Sequence, residues 1–319
     1  MANSFVHVHI MALRYFAETV RAGSMRQAAD FMSTAPSAVN RQILKLEDQL
    51  QVKLFDRVAD GVRLTAAGEV LYGYIRNLER DLDRAIDQID NMRALRRGHV
   101  RIAVEDGIAR DFLTDEITAF AAKHPGVTFS VEIQGASTVM ERVAHGEAEL
   151  GLSMNPPSRT DVRKVISIPI PSGVVMRPDH PLAGAAQLTL GEIASERMIL
   201  GAHGYGGGEH VNREITEGSR HRPFIETNSS DATQGFVLAG LGLTIRSPVG
   251  ILGPLQRGEL CLVPLVGRGA PNVSLCLWTH PNRSPSIASS VLTQQLAQSL
   301  ERFSERLAPW CVPVADPAT

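Results

Sequence analysis

No run of eighteen apolar residues occurs in this 319-residue chain, so no membrane-spanning helix is expected. The first residues, MANSFVHVHI, lack the basic stretch and apolar core of a secretory signal, and the chain is expected to be cytoplasmic. Cysteine is scarce. The three present, Cys261, Cys276 and Cys311, are scattered without metal-like spacing. Cys261 and Cys276 sit in apolar, strand-like runs and read as buried thiols, with a thiol switch as the alternative. His203 and His210 are seven positions apart with no third ligand nearby, so no metal site is expected. The glycine-rich segment Gly204 to Gly208 lacks the Gly-Lys-Ser/Thr ending of a phosphate loop. Asn228-Ser229-Ser230 matches a glycosylation sequon only formally, because nothing exports the chain. No Ser-His-Asp, Cys-His or paired-carboxylate arrangement stands out, which argues against an enzyme and against a catalytic cofactor. Charge of one sign is missing too. The formal net charge of −2 disfavours indiscriminate nucleic-acid binding.

What is present is organised around SMRQAADFMSTAPSAVNRQI, residues 24–43. It reads as two short helices with a turn at Ser33-Thr34-Ala35, and Pro36 suits the first turn of the second helix, where its missing N–H costs nothing. Ala28, Ala29 and Met32 allow close packing on the first helix. Val39, Ile43, Leu46 and Leu50 make a buried stripe on the second, at helical spacing. The opposite face carries Ser37, Asn40, Arg41, Leu44 and Lys45, a set suited to a DNA major groove; a helical hairpin with a solvated face is the alternative. Before it, Leu13, Phe16, Ala17 and Val20 define another helix ended by Gly23. After it, Leu54, Phe55, Val62 and Leu64 are strand-like around a turn at Ala59-Asp60-Gly61, flanked by Arg57 and Arg63. Three helices and a small basic hairpin make a winged helix-turn-helix. Residues 1–97 hold 14 Lys+Arg against 12 Asp+Glu, so DNA affinity must come from where the arginines sit and from having two copies of the domain.

The order LRYF…GSMRQAADF…PSAVNRQILKLEDQL…LFDR…GVRLTAAGE resembles the N-terminal domain of LysR-type transcriptional regulators, collinear from Leu13 to Glu69. The resemblance implies double-stranded DNA as partner and Arg26, Ser37, Asn40, Arg41, Lys45, Arg57 and Arg63 as DNA-binding residues. Many members of that family carry Ser-Gln-Pro at the start of the recognition helix. This chain has Ala35-Pro36-Ser37, which removes a polar side chain and leaves Ser37, Asn40 and Arg41 as the groove contacts.

Residues 66–97 read as one long helix. Leu71, Ile75, Leu78, Leu82, Ala85, Ile89 and Met92 alternate by four and three, a heptad seam that needs a partner helix; a long helix lying on its own second domain is the alternative. In the family, the matching segment is a linker helix pairing two subunits. It makes Leu71, Ile75, Leu78, Leu82 and Ile89 dimerisation residues, in a homodimer or, through a second interface, a homotetramer.

From His99 the texture becomes strands alternating with helices, the pattern of a parallel sheet. Strands are expected at Val100 to Val104, Val127 to Ile133, Leu150 to Met154, Ile166 to Met176, Arg197 to Leu200, Phe224 to Glu226, Leu243 to Ile245 after a tight turn from Gly240, Cys261 to Val266 and Val273 to Thr279. Helices are expected at Gly107 to Lys123, Ser137 to Gly146, Leu188 to Ala194, after the glycine-rich segment, at Asp231 to Ala239 and at Ile287 to Leu307, with a loose end beyond. VAHGEAELGLSM, GVVMRPDHPLAG and VLAGLGLTI resemble parts of the same family's effector domain, two Rossmann-like subdomains joined by two crossing strands. The whole is therefore expected to be multidomain: an all-α winged helix-turn-helix at 1–65, a linker helix at 66–97 and an α/β effector domain at 98–310. Subdomain 1 would take 98–165 and 268–310, and subdomain 2 would take 166–267.

Ligands of open α/β sheets bind beyond the carboxyl ends of strands. Four loops qualify: Glu105-Asp106-Gly107, Gly135 to Thr138, His203 to Gly208 and Thr227 to Ser230. Asp106, Gly107, Ser137, Thr138, His203, Asn228 and Arg246 are the expected effector-binding residues, with Ser137 and Thr138 equally suited to capping a helix. Many relatives have a hydroxyl residue where Glu105 and Asp106 stand, and two acids disfavour a simple carboxylate against that wall. The reading is a LysR-type, DNA-binding regulator controlled by a small-molecule effector, with RNA polymerase as a further candidate partner. A thiol-switched regulator, or an enzyme or solute-binding activity in the α/β portion, stands as the alternative.

Overall fold

A computed structural model describes residues 8–58, 61–91, 98–156, 159–201, 223–267, 270 and 273–310. The chain divides into two compact units, Met1–Ile86 and Asp87–Thr319.

The first unit opens with helices α1 (Ile10–Ala22), α2 (Met25–Phe31) and α3 (Pro36–Leu50). Gly23 ends α1 in the left-handed conformation, φ 71°, which a residue without Cβ adopts at little cost. Ser24 then starts α2, its Oγ accepting the Gln27 N–H at 3.1 Å. Phe16, Ala17, Ala28, Ala29, Val39, Ile43 and Leu46 fill the core, so the small residues of α2 let α3 cross it closely. Strands β1 (Phe55–Val58) and β2 (Gly61–Leu64) pair antiparallel as the wing, and Phe55 lies against Phe16 with ring centroids 5.0 Å apart. Residues 59 and 60 at the wing tip lie outside the described residues. Glu47 was not singled out by sequence. Only 8% exposed, its Oε1 accepts the N–H groups of Leu54 at 2.8 Å and Phe55 at 3.3 Å, while Oε2 meets Lys53 Nζ at 3.3 Å. It fastens the wing to α3.

Thr65 caps the long helix α4 (Ala66–Asn91) through the Gly68 N–H. Residues 92–97, which sequence assigned to the same helix, lie outside the described residues.

The second unit contains two sheets. The first has the order β4-β3-β5-β12-β6, from β3 (Gly98–Val104), β4 (Val127–Ile133), β5 (Leu150–Met154), β6 (Arg163–Ile170) and β12 (Val273–Thr279). The period of two along β3 splits its side chains. Ile102 and Val104 pack under the closing helix α10 (Ile287–Leu307), on Leu292, Leu296 and Leu300, while Ala103 faces Val139 and Met140 of α7 (Ala136–Ala144). A continuous helical stretch follows β3: α5 (Asp106–Ile108), a π-helical segment (Ala109–Leu113) and α6 (Thr114–Lys123). The second lobe holds the antiparallel sheet β10-β7-β11, built from β7 (Gly173–Met176), β10 (Thr244–Arg246) and β11 (Cys261–Pro264). Beside it β8 (Ile199–Gly201) pairs with β9 (Ile225–Thr227), followed by α8 (Ser230–Leu238) and α9 (Leu252–Gln256).

Four expectations need correction. The run Ile166 to Met176 is two strands: β6 stays in the first sheet and β7 enters the second, because Pro171 has no N–H with which to continue a ladder. The lobe boundary therefore falls at Pro171-Ser172 instead of residue 165. The first sheet is mixed, since β12 returns antiparallel to both β5 and β6, and the second is antiparallel. Leu188 to Ala194 forms turns closed by i→i+3 bonds, Glu192 N–H to the Thr189 carbonyl at 3.2 Å and Ala194 N–H to the Gly191 carbonyl at 3.4 Å, instead of an α-helix. The short helix α9 was missed, its Gly253-Pro254 resembling a turn. The glycine-rich segment and the helix expected after it lie outside the described residues, as do residues 311–319 with Cys311.

Replacing Glu47 with Ala leaves the Leu54 and Phe55 N–H groups without their acceptor. Urea unfolding of the full chain should show the first unit losing about 1–3 kcal/mol, and an unchanged midpoint would contradict the fastening role.

Candidate functional site

On α3, burial of Val39, Ile43 and Leu46 turns the other side outward. Ser37, Arg41, Leu44 and Lys45 are exposed and Asn40 is partly buried. Arg26 on α2 and Arg63 on β2 are exposed. Arg57 lies in β1 opposite Val62, with its side chain outside the described residues. The exposed cations Arg26, Arg41, Lys45 and Arg63 and a helix presenting short polar groups form a surface that can contact phosphates and base edges.

The expected seam on α4 is divided. Ile75 is 4% exposed and packs with partly buried Leu71 into the first unit's own core. Those two side chains face inward, which corrects their assignment to a subunit contact. Val70, Tyr74, Leu78 and Leu82, four residues apart, are exposed and form a drifting apolar strip. The side chain of Ile89 lies outside the described residues.

Between the two lobes of the second unit lies a cavity of about 370 Å³. The first lobe contributes Glu105, Asp106, Gly107, Gln134, Gly135 and Met154; the second contributes Asn228, Ser230, Asp231, Thr244, Arg246 and Ser247. Asp106, Gly107, Asn228 and Arg246 were expected there. Ser137 and Thr138 do not line it. Helix α7 begins at Ala136 with Gly135 as its cap, so these side chains sit within the first turn, past the strand tip, and Gln134 and Gly135 take the wall. His203 lies outside the described residues. Ser172, exposed to the cavity by the break after Pro171, had no sequence signal.

The charges around the cavity are ordered. Arg110 Nη2 bonds Asp106 at 2.9 Å and Asp231 at 2.5 Å, joining one lobe to the other. Asp111 Oδ2 accepts the N–H groups of Gly250 at 2.7 Å and Leu252 at 3.2 Å; burial pushes its carboxyl up, opposed by those bonds. Arg246 Nη2 donates to Ser230 Oγ at 3.1 Å and the Val249 carbonyl at 3.2 Å, and burial brings its guanidinium down to about 10. Glu105, 5% exposed, accepts the Met154 N–H at 2.6 Å, yet burial raises its carboxyl to about 7. The spacing Asp106-x-x-x-Arg110 was the one available hint of the bridge.

The two described thiols lie in different sheets. Cys276 is buried against Ser167 in the first sheet, and Cys261 lies in the second, bonded to the Met176 carbonyl, with burial raising its thiol. Among the described residues no cluster of three His, Cys, Asp or Glu could hold a metal, and no helix is long and apolar enough to cross a membrane.

A winged helix-turn-helix in one unit and a two-lobed cleft in the other define a ligand-responsive, DNA-binding regulator. Residues 10–69 match the bacterial regulatory helix-turn-helix model of the lysR family, and residues 93–301 match the LysR substrate binding domain. The chain belongs to the LysR family of transcriptional regulators. The RuBisCO operon transcriptional regulator of Allochromatium vinosum is 27% identical over 243 residues, 76% of this chain and 80% of the relative. The transcriptional activator protein LysR of Escherichia coli is 25% identical over 254 residues, 79% and 81% of the two chains. Full-length CbnR in complex with its target DNA shares the fold at 18% identity, with a TM-score of 0.66 over 92% of this chain and 99% of that one.

Glu105 makes stability depend on pH. The native state keeps its proton up to about 7, whereas a free carboxyl loses it near 4.5, so unfolding becomes easier as pH rises through that window. The loss should approach roughly 3 kcal/mol between pH 4.5 and 8. Comparing melting temperatures of the wild type and Glu105→Gln from pH 5 to 8 checks this: the wild-type curve should fall relative to the variant, and parallel curves would sink it.

Proposed function

We propose that this regulator reads DNA through Ser37, Asn40 and Arg41 on α3, with Arg26, Lys45, Arg57 and Arg63 holding the phosphates. The exposed face of α3 supports that reading, because its bulky apolar side is already committed to the core. The partner is double-stranded DNA. A near-neutral chain needs two copies for affinity, and the strip Val70, Tyr74, Leu78 and Leu82 offers the pairing surface for a homodimer, which a second contact would extend to a homotetramer. RNA polymerase is the partner through which occupancy of a promoter would act, and the place of action is the cytoplasm.

The effector binds in the cleft. The observation that carries this is the cavity walled by both lobes, with Arg246 aimed into it. A ligand touching both lobes favours the closed arrangement by its difference in affinity for the two states, and two strand crossings make a workable hinge.

The operator is expected beside the regulator's own gene. In gel shifts with that DNA, Arg41→Ala should weaken specific binding by about 1–3 kcal/mol; unchanged affinity in both Arg41→Ala and Asn40→Ala would refute the placement. Leu82→Asp should yield monomers in sedimentation and lose binding to a two-half-site operator. A folded variant that still dimerises would move the subunit contact away from α4.

A further inference from the structure

Resting on the reading that the effector occupies this cleft, we infer that the effector is a small amphoteric molecule, its anionic group on Arg246 and its ammonium on Glu105. The opposing charges of the cleft are not equally spent. Asp106 and Asp231 share Arg110, within 2.9 Å and 2.5 Å. Asp111 is held by two backbone N–H groups. Two ionisable side chains remain with unused hydrogen-bonding capacity.

Glu105, at the carboxyl end of β3, is 5% exposed and has Oε1 on the Met154 N–H. Among the described residues its Oε2 has no hydrogen-bond partner, and no cation lies within the 4.0 Å of an ion pair. Arg246, at the end of β10, uses Nη2 for Ser230 and Val249. Its Nε and Nη1 have no partner among the described residues, and no carboxylate lies within 4.0 Å. The two groups come from opposite lobes and line the same cavity.

Burial disfavours the charged form of both groups, a bound partner of opposite charge would restore it, and charge-assisted bonds are the strong ones. A simple anion would satisfy Arg246 while placing negative charge near Glu105, Asp106 and Asp231. A simple cation would leave Arg246 unpaired. A molecule with both charges meets both needs and ties one lobe to the other. Ile133, Leu200, Ile245, Val249 and Val273 leave apolar wall for a short carbon skeleton between the charges.

The test uses the full-length protein and a panel of the standard free amino acids, β-alanine and γ-aminobutyrate, with simple mono- and dicarboxylates as controls. Thermal shift finds the binders and calorimetry measures them. At least one amphoteric compound should bind, and its N-acetyl and methyl-ester derivatives should each bind about tenfold or more weaker. Arg246→Gln should abolish the preference for the free acid over the ester, and Arg246→Lys should restore part of it. Glu105→Gln, which keeps the acceptor for Met154, should abolish the preference for the free amine over the N-acetyl form. A structural role would not produce these crossed effects. If a plain carboxylate, or the N-acetyl form, binds as tightly and Arg246→Gln weakens it, the amphoteric class is wrong and the cleft reading stands. Binding indifferent to both substitutions would place the ligand elsewhere and end the cleft reading as well. No binding by any amphoteric member of the panel overturns the proposed class.

Discussion

Two chain crossings divide the second unit, one at Pro171-Ser172 and the other between Pro264 and Val273. At each, a ladder ends in one sheet and resumes in another, so a single stretch of chain serves two hydrophobic cores. Leu275 and Leu277 belong to the first core, Val263 and Leu265 to the second. Because only these crossings join the sheets covalently, the strand tips face one another across a gap. Cavity, lining and hinge all follow from that connectivity.

The gap is then shaped by charge. Three acids, Asp106, Asp111 and Asp231, crowd the same edge as Arg110 and Arg246. Arg110 spans the lobes, and its exposed bridge contributes modestly to stability, because water screens it. Glu105 and Arg246 differ in kind. Burial raises the carboxyl of Glu105 and lowers the guanidinium of Arg246, and a bound group of opposite charge would reverse each shift. A binding protein that gives up some of its own stability at the site gains discrimination between ligands, since only the complementary one relieves the cost.

In the first unit the governing contact is smaller. Glu47 ties α3 to the start of the wing through the N–H groups of Leu54 and Phe55. Helix α4 serves two purposes along its length. Its early turns spend Leu71 and Ile75 on the local core, while Leu78 and Leu82 further along are exposed.

Much of this was legible along the chain. Helical spacing placed α1, α3 and α10, and alternation with turn residues placed β4, β5 and β12 at their observed bounds. The collinear motifs from Leu13 to Glu69 identified the DNA-binding domain, because a helix-turn-helix is a local structure whose packing residues recur at fixed short spacings. What the sequence could not decide was long-range. A heptad seam does not say which of its residues a neighbouring wing will cover, and Ile75 went inward. A strand-like run does not show where it changes sheets, so β6 and β7 read as one. Ser137 looked like a ligand contact until the helix register set it past the strand tip, whereas Glu105 and Arg246, separated by most of the second unit, meet at one cavity only once both crossings are made. Local periodicity is written in neighbouring residues; burial and the company of charges depend on segments far apart in the chain, and those only the folded structure brings together.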